Sequence, residues 1–210
     1  MSEPAGPAPL EVRGSNVRLR IPREQDARRL FELASDAEVT RFFSWGPYTT
    51  VAEPAGYIAG LPGERERGDR VDLLVVAHDS GPIGVTGLSE LSRRDRRAVV
   101  GTWLERRRWG TGANEESKAL IAHLGFITLG LERLGAYADV ANGRSQSALV
   151  RLGFQREGVL RRWHRHGEQY RDVALFSLLR EEWERSRLAE VPVLVHGDPP
   201  PSFRLAAAPS

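Results

Sequence analysis

The chain has 210 residues, 40% hydrophobic and 28% charged, which suits one domain folded around a core. The absence of cysteine excludes disulfides, thiolate nucleophiles and cysteine-ligated zinc, and no apolar run reaches the roughly 20 residues a membrane helix needs. The net charge is only +2, so the pI of about 9.4 does not signal a field for nucleic acid. It arises because Lys118 is the one lysine and every other basic residue is an arginine, which does not titrate.

The opening residues MSEPAGPAPLEVRG lack the basic-then-apolar layout of a secretory signal, so a cytoplasmic location is expected. Residues 1–11 read as a flexible tail and 12–188 as the folded domain. Residues 189–210, rich in proline and without sustained periodicity, read as a disordered C-terminal tail.

Val17 to Ile21 alternates apolar and polar residues and predicts a strand. Pro22 starts a helix whose Ala27, Leu30, Phe31 and Ala34 share a face. An aromatic loop follows over 42–50, FFSWGPYTT. Thr50 with Glu53 resembles a capping box for a second helix, which ends at a polar loop over 61–69. Three strands are expected over 71–78, 83–91 and 98–104, the first two joined by the turn HDSG. A helical period covers 112–129, a strand 134–140 and a helix 145–152. Strands 154–163 and 170–179 precede a last helix over 180–188. The order is β-α-α-β-β-β-α-β-α-β-β. It predicts an α/β fold with a mixed, mostly antiparallel seven-stranded sheet flanked by helices.

The chemistry concentrates in Gly101-Thr-Trp-Leu-Glu-Arg-Arg-Arg-Trp-Gly-Thr-Gly-Ala113. A strand there runs into a Gly-x-Gly turn that opens a helix. Helix N-termini present unpaired N–H groups and partial positive charge, and glycines let a ligand oxygen reach the backbone. A phosphate or pyrophosphate suits such a cradle. The dinucleotide fingerprint fails because Glu115 stands where its third glycine belongs, and no Gly-Lys-Ser/Thr follows for a P-loop.

Arg107-x-x-Gly110-x-Gly112 resembles the acyl-CoA pyrophosphate loop of the GNAT superfamily of N-acyltransferases. Asn142-Gly-Arg-Ser145 with Gly153-Phe154 resembles the branch that contains the ribosomal-protein alanine N-acetyltransferases. Glu157-Gly158, Asp172, the Phe176 to Trp183 ending and Phe43-Ser-Trp45-x-Pro47 extend that resemblance over about residues 15–186.

The resemblance implies an N-acetyltransferase that moves an acetyl group from acetyl-CoA to a primary amine by direct attack, with no metal. The acceptor would be a protein N-terminus, an amino acid or a small-molecule amine, antibiotic amines included. A bulge in strand 98–104 would splay it from strand 134–140. The pantetheine arm would then pair with Val100, Thr102, Trp103 and Leu104. The diphosphate would sit on Arg108, Trp109, Gly110, Thr111, Gly112 and Ala113, with charge from Arg107. Ser145 would be the acid near the sulfur, and Asn142 would bind the arm. Both residue types also favour helix N-caps. Homodimers are common in this fold.

The expected base is where this chain departs from the family. Val99 stands where related members often carry glutamate. Glu90 is the replacement expected first, with Asp95 and Asp72 behind it. Trp45 and Tyr48, with polar edges, are expected to form the acceptor wall, and Phe42 and Phe43 to anchor the loop. His164 and His166 lack an evident third ligand, so no metal site is expected. Two alternatives keep the fold: an aminoacyl-tRNA donor, against which the low net charge argues, and a non-catalytic CoA-binding module, which the absent carboxylate suggests.

Overall fold

The computed structural model describes residues 9–204. The expected tail over 1–8 and the last six residues lie outside the described residues. Strand β2 (Val17–Arg20) has the expected alternation, with Val17 and Leu19 buried. It pairs with a strand that was not expected, β1 (Glu11–Arg13), in which Val12 is buried. The N-terminal boundary therefore lies earlier than residue 11, because Leu10 is also in the core.

Helix α1 (Ala27–Ala34) buries Ala27, Leu30, Leu33 and Ala34. Leu33 takes the place expected of Phe31, which stays half-exposed. A short α2 (Ala37–Thr40) follows. Helix α3 (Ala52–Arg67) runs through Pro62, where a loop was expected. Pro62 gives up one backbone bond, yet buried Ile58 and Leu61 hold the helix on the sheet across that position. Glu53 accepts from the backbone N–H of Thr49 and Thr50 at 2.7 and 2.8 Å, a reciprocal of the expected cap.

Strands β3 (Arg70–Ala77), β4 (Gly81–Ser92) and β5 (Arg97–Leu104) form an antiparallel meander. Seven of the eight β3 residues are buried, so this strand is covered on both faces. Helix α4 (Ala113–His123) continues into a π-helical turn over Leu124–Thr128. Then come β6 (Arg133–Asp139), α5 (Gly143–Arg151), β7 (Gln155–His166), β8 (Gln169–Leu179) and α6 (Arg180–Glu184).

The sheet order is β7-β8-β6-β5-β4-β3-β2-β1-β9, and only β5–β6 is parallel. Thus the mixed, mostly antiparallel α/β sheet holds, with nine strands rather than seven. The ninth, β9 (Leu194–His196), corrects the disordered-tail expectation for 189–204. It pairs with β1, and Phe203 beyond it is fully buried. Val191, Val193 and Val195 recur at every second residue and pack on the core. The strand itself is three residues long inside proline-rich flanks, so its period is weak in sequence. One face of the sheet holds the large core under α4. The other carries Ala27, Leu30, Leu33, Ile58, Leu74, Val76 and Val85 under α1 and α3. No helix among the described residues is long and apolar enough to cross a membrane.

Candidate active site

Strand β5 is paired with β4 along its length to Leu104, but with β6 only from Arg97 to Val99. Its β6-facing edge from Val100 to Leu104 has no strand partner. Across the gap, Ala136 to Asp139 of β6 form the other wall of a cavity of about 570 Å³. The strand irregularity beside this notch lies on β4, not β5. Two residues, Glu90 and Leu91, bulge between the pairs Ser89↔Val99 and Ser92↔Arg97. Glu90 is held there at φ 52°, a conformation that a non-glycine residue adopts at a cost.

The cavity opens at the C-terminal end of β5 onto the glycine turn. Gly110 and Gly112 have φ of 78° and 90°, and a Cβ on either would meet nothing within 4 Å. The turn is therefore left-handed and open, which only glycine adopts cheaply. Gly112 caps α4 and accepts from Glu116 N–H at 3.0 Å. The earlier N–H groups of the first turn have no intrahelical partner. The two first-turn acids are engaged. Glu116 holds the backbone and side chain of Asn16 at 2.7 and 3.0 Å, and Glu115 pairs with Arg187 at 3.1 Å. Trp109 donates its indole N–H to Leu104 O at 2.9 Å, and the Arg144 guanidinium lies 3.1 Å from the Trp109 ring centroid.

Of the expected donor-binding residues, Val100, Thr102, Trp103, Leu104, Trp109, Gly110 and Gly112 line the cavity, as do Asn142 and Ser145. Arg107, Arg108, Thr111 and Ala113 do not line it. Arg107 pairs with Glu105 at 2.8 Å and Arg108 with Asp79 at 2.7 Å, so both guanidiniums already have carboxylates. Thr111 donates to Arg108 O at 2.9 Å. Asn142 is the N-cap of α5 and accepts from Ser145 N–H at 3.1 Å. Ser145 lines the cavity, and its Oγ makes no hydrogen bond among the described residues.

Glu90 lines the cavity near the closed end of the notch. Tyr137 of β6 donates its hydroxyl to Glu90 Oε2 at 3.1 Å. Burial, then the Glu90 carboxylate, push the Tyr137 phenol up to about 12, so it stays a donor at neutral pH. The other two carboxylates are occupied away from the cavity. Asp72 is buried against Tyr57 and Arg70, and Asp95 is held by Ser92 at 2.8 Å. Val99 is on the wall and contributes no acid.

Among the aromatic residues of this loop, the cavity lining is the reverse of the expectation. Phe42, Phe43 and Ser44 line the cavity; Trp45 and Tyr48 do not. Trp45 stacks behind Phe43 at 5.2 Å, contacts Tyr48 at 5.3 Å and meets Trp103 edge-on at 5.7 Å. It braces the wall from behind.

Lys118, Tyr137 and His164 also line the cavity, none of them expected there from the sequence, in which His164 figures only as a candidate metal ligand. Lys118 had one signal, as the single lysine of the chain. Tyr137 had none, because its partner is 47 residues away. His164 sits edge-on to Tyr137 with ring centroids 5.9 Å apart. No cluster of three His, Asp or Glu side chains among the described residues is placed to hold a metal ion.

The sequence and the fold both match those of known proteins. Residues 16–155 match the family model described as "Acetyltransferase (GNAT) domain". The uncharacterized N-acetyltransferase p20 of Bacillus licheniformis is 31% identical over 170 residues, which span 79% of this chain and 93% of that protein. The crystal structure of a GCN5-related N-acetyltransferase from Brucella melitensis superposes with a TM-score of 0.74. It is 25% identical and covers 82% of this chain and 80% of its own. Mycobacterium smegmatis RimJ, solved in complex with CoA-disulfide, shares the fold with a TM-score of 0.73. It is 24% identical and covers 87% of this chain and 90% of its own. The chain belongs to the GNAT family and is an N-acetyltransferase.

Proposed function

We propose that the protein transfers an acetyl group from acetyl-CoA to an apolar primary amine. The observation that carries this reading is the notch itself. An unpaired β5 edge from Val100 to Leu104 leads from the open Gly110–Gly112 turn to Glu90. An extended thioester arm fits that edge as an added strand, with its diphosphate on the helix start. The complex of the structural relative RimJ with CoA-disulfide supports the same donor.

Acetyl-CoA supplies an activated carbonyl. The acceptor nitrogen attacks it, the C–N bond forms and the C–S bond breaks. Glu90 takes the proton that the amine loses, directly or through one water. Ser145 Oγ–H, unengaged by protein, donates to the departing sulfur. Tyr137 holds the Glu90 carboxylate in place.

The acceptor class follows from the wall chemistry. Among the described residues, Glu90 is the one cavity carboxylate with no ion-pair partner, since Glu115 pairs with Arg187 and Asp139 with Arg171. Phe42 and Phe43 form the surface beside it. One carboxylate and two aromatic rings suit a single ammonium on an apolar body, and they disfavour a polyamine, which needs several anions.

Calorimetric titration with acetyl-CoA tests the donor. Saturable binding that is lost in Gly112→Trp supports it. Absence of binding in a protein that melts cooperatively overturns it. Turnover with a panel of hydrophobic monoamines against spermidine then tests the acceptor. Preference for spermidine overturns the monoamine reading.

A further inference from the structure

Lys118 projects from α4 onto the cavity wall beside Thr102 and is 6% exposed. Its one hydrogen-bond partner among the described residues is Thr102 Oγ1, and no carboxylate there forms an ion pair with it. Proton counting fixes the direction of that bond. Thr86 Oγ1 donates to Gly101 O at 3.0 Å. In the 2.6 Å contact between the Thr86 and Thr102 hydroxyls, the donor must then be Thr102. Thr102 has no second hydrogen, so it accepts from Lys118. An ammonium carries three hydrogens and a neutral amine two. In either state at least one N–H is left over.

The identity of the residue fits this position. The chain uses arginine for every other basic residue. A guanidinium cannot shed its charge, so an unpaired one buried here would carry the full desolvation penalty. A lysine can lose its proton, and burial alone pulls Lys118 down to about 7. The same cavity is lined by the apolar Val100, Leu104, Ala136, Ala138 and Leu149. Its spare N–H is a side-chain donor set midway along the unpaired β5 edge.

We propose that Lys118 is a positioning residue for the donor, its spare N–H hydrogen-bonding an amide carbonyl of the pantetheine arm. This rests on the acetyl-CoA reading above. An amide-bearing arm laid along β5 presents neutral acceptors, which an N–H group satisfies and an arginine–carboxylate pair does not.

A single lysine makes the test direct. The full chain labelled with ¹⁵N at lysine Nζ and ¹³C at Cε gives one side-chain signal. It is titrated with CoA, and separately with 3′-phosphoadenosine 5′-diphosphate, which carries the nucleotide and diphosphate but no arm. Saturation of each is followed by calorimetry. CoA should move the Lys118 signal and the armless nucleotide should leave it in place. Lys118→Met should weaken CoA about tenfold, the loss of one buried hydrogen bond, with the armless nucleotide unaffected. A signal unmoved at CoA saturation, or equal weakening of both ligands, overturns the inference while the donor reading stands. Failure of CoA to bind the parent protein overturns both.

Discussion

The Tyr137 hydroxyl and the Glu90 carboxylate meet at 3.1 Å across the closed end of the β5–β6 notch. Glu90 reaches that point from a bulge in β4, at a backbone angle most residues avoid. The pairing gives the site a carboxylate despite Val99. Glu90→Gln keeps the shape and removes the base, so kcat should fall about a hundredfold in steady-state assays with acetyl-CoA affinity retained. Tyr137→Phe releases the carboxylate without removing it and should cost about tenfold. Unchanged turnover in Glu90→Gln would assign proton removal to water or to another group.

Ser145 is distinguished from its neighbour Asn142 by what its side chain does. Asn142 Oδ1 is engaged as a helix cap, whereas Ser145 lines the cavity with its Oγ unengaged among the described residues. Ser145→Ala should therefore lower kcat with little change in CoA affinity or melting temperature. Asn142→Ala should lower the melting temperature, with a loss of about 1 kcal/mol of stability. Denaturant melts beside single-turnover rates separate the two.

The C-terminal strap should be structural. Phe203 is fully buried, and β9 covers the outer edge of β1. Phe203→Ala should cost about 3–5 kcal/mol in urea unfolding. Deletion of 192–210 should destabilise the chain further and leave β1 as an open edge prone to association. A truncated protein as stable as the parent would show that the strap adds nothing.

Lys118 should make stability depend on pH with a defined sign. Its folded value is about 7 and that of an unfolded lysine about 10.4. Between these values the unfolded chain binds more protons, so this residue's destabilisation is fullest below pH 7 and fades as pH rises toward 10. Lys118→Met should stabilise the protein at pH 6, by an amount on the order of 5 kcal/mol at most, and by progressively less at higher pH. A pH-independent difference in urea midpoints would mean that the amine is not buried.

Local order was legible in the sequence wherever one short segment carries its own physical instruction. Val17 and Leu19 alternate because one face of β2 is buried, and Gly110 and Gly112 announce a left-handed turn at a helix start. The glycine turn and the order of most elements therefore follow from residues close together in the chain. The rest depends on partners far apart. Leu194, Val195 and His196 become a strand edge only because β1, some 180 residues earlier, is there to pair with them. Pro62 stays helical because buried Ile58 and Leu61 outweigh a local breaking signal. Phe42 and Phe43 face the cavity while Trp45 braces from behind, a choice made by Trp103 on a distant strand. Glu90 acquires Tyr137, and Lys118 is buried without a carboxylate, through contacts across the sheet that no periodicity encodes. Composition and spacing determine most of the elements and the open glycine turn at the start of α4. Which side chains share the cavity is decided by packing, because burial and hydrogen bonding act between surfaces that meet only in the folded chain.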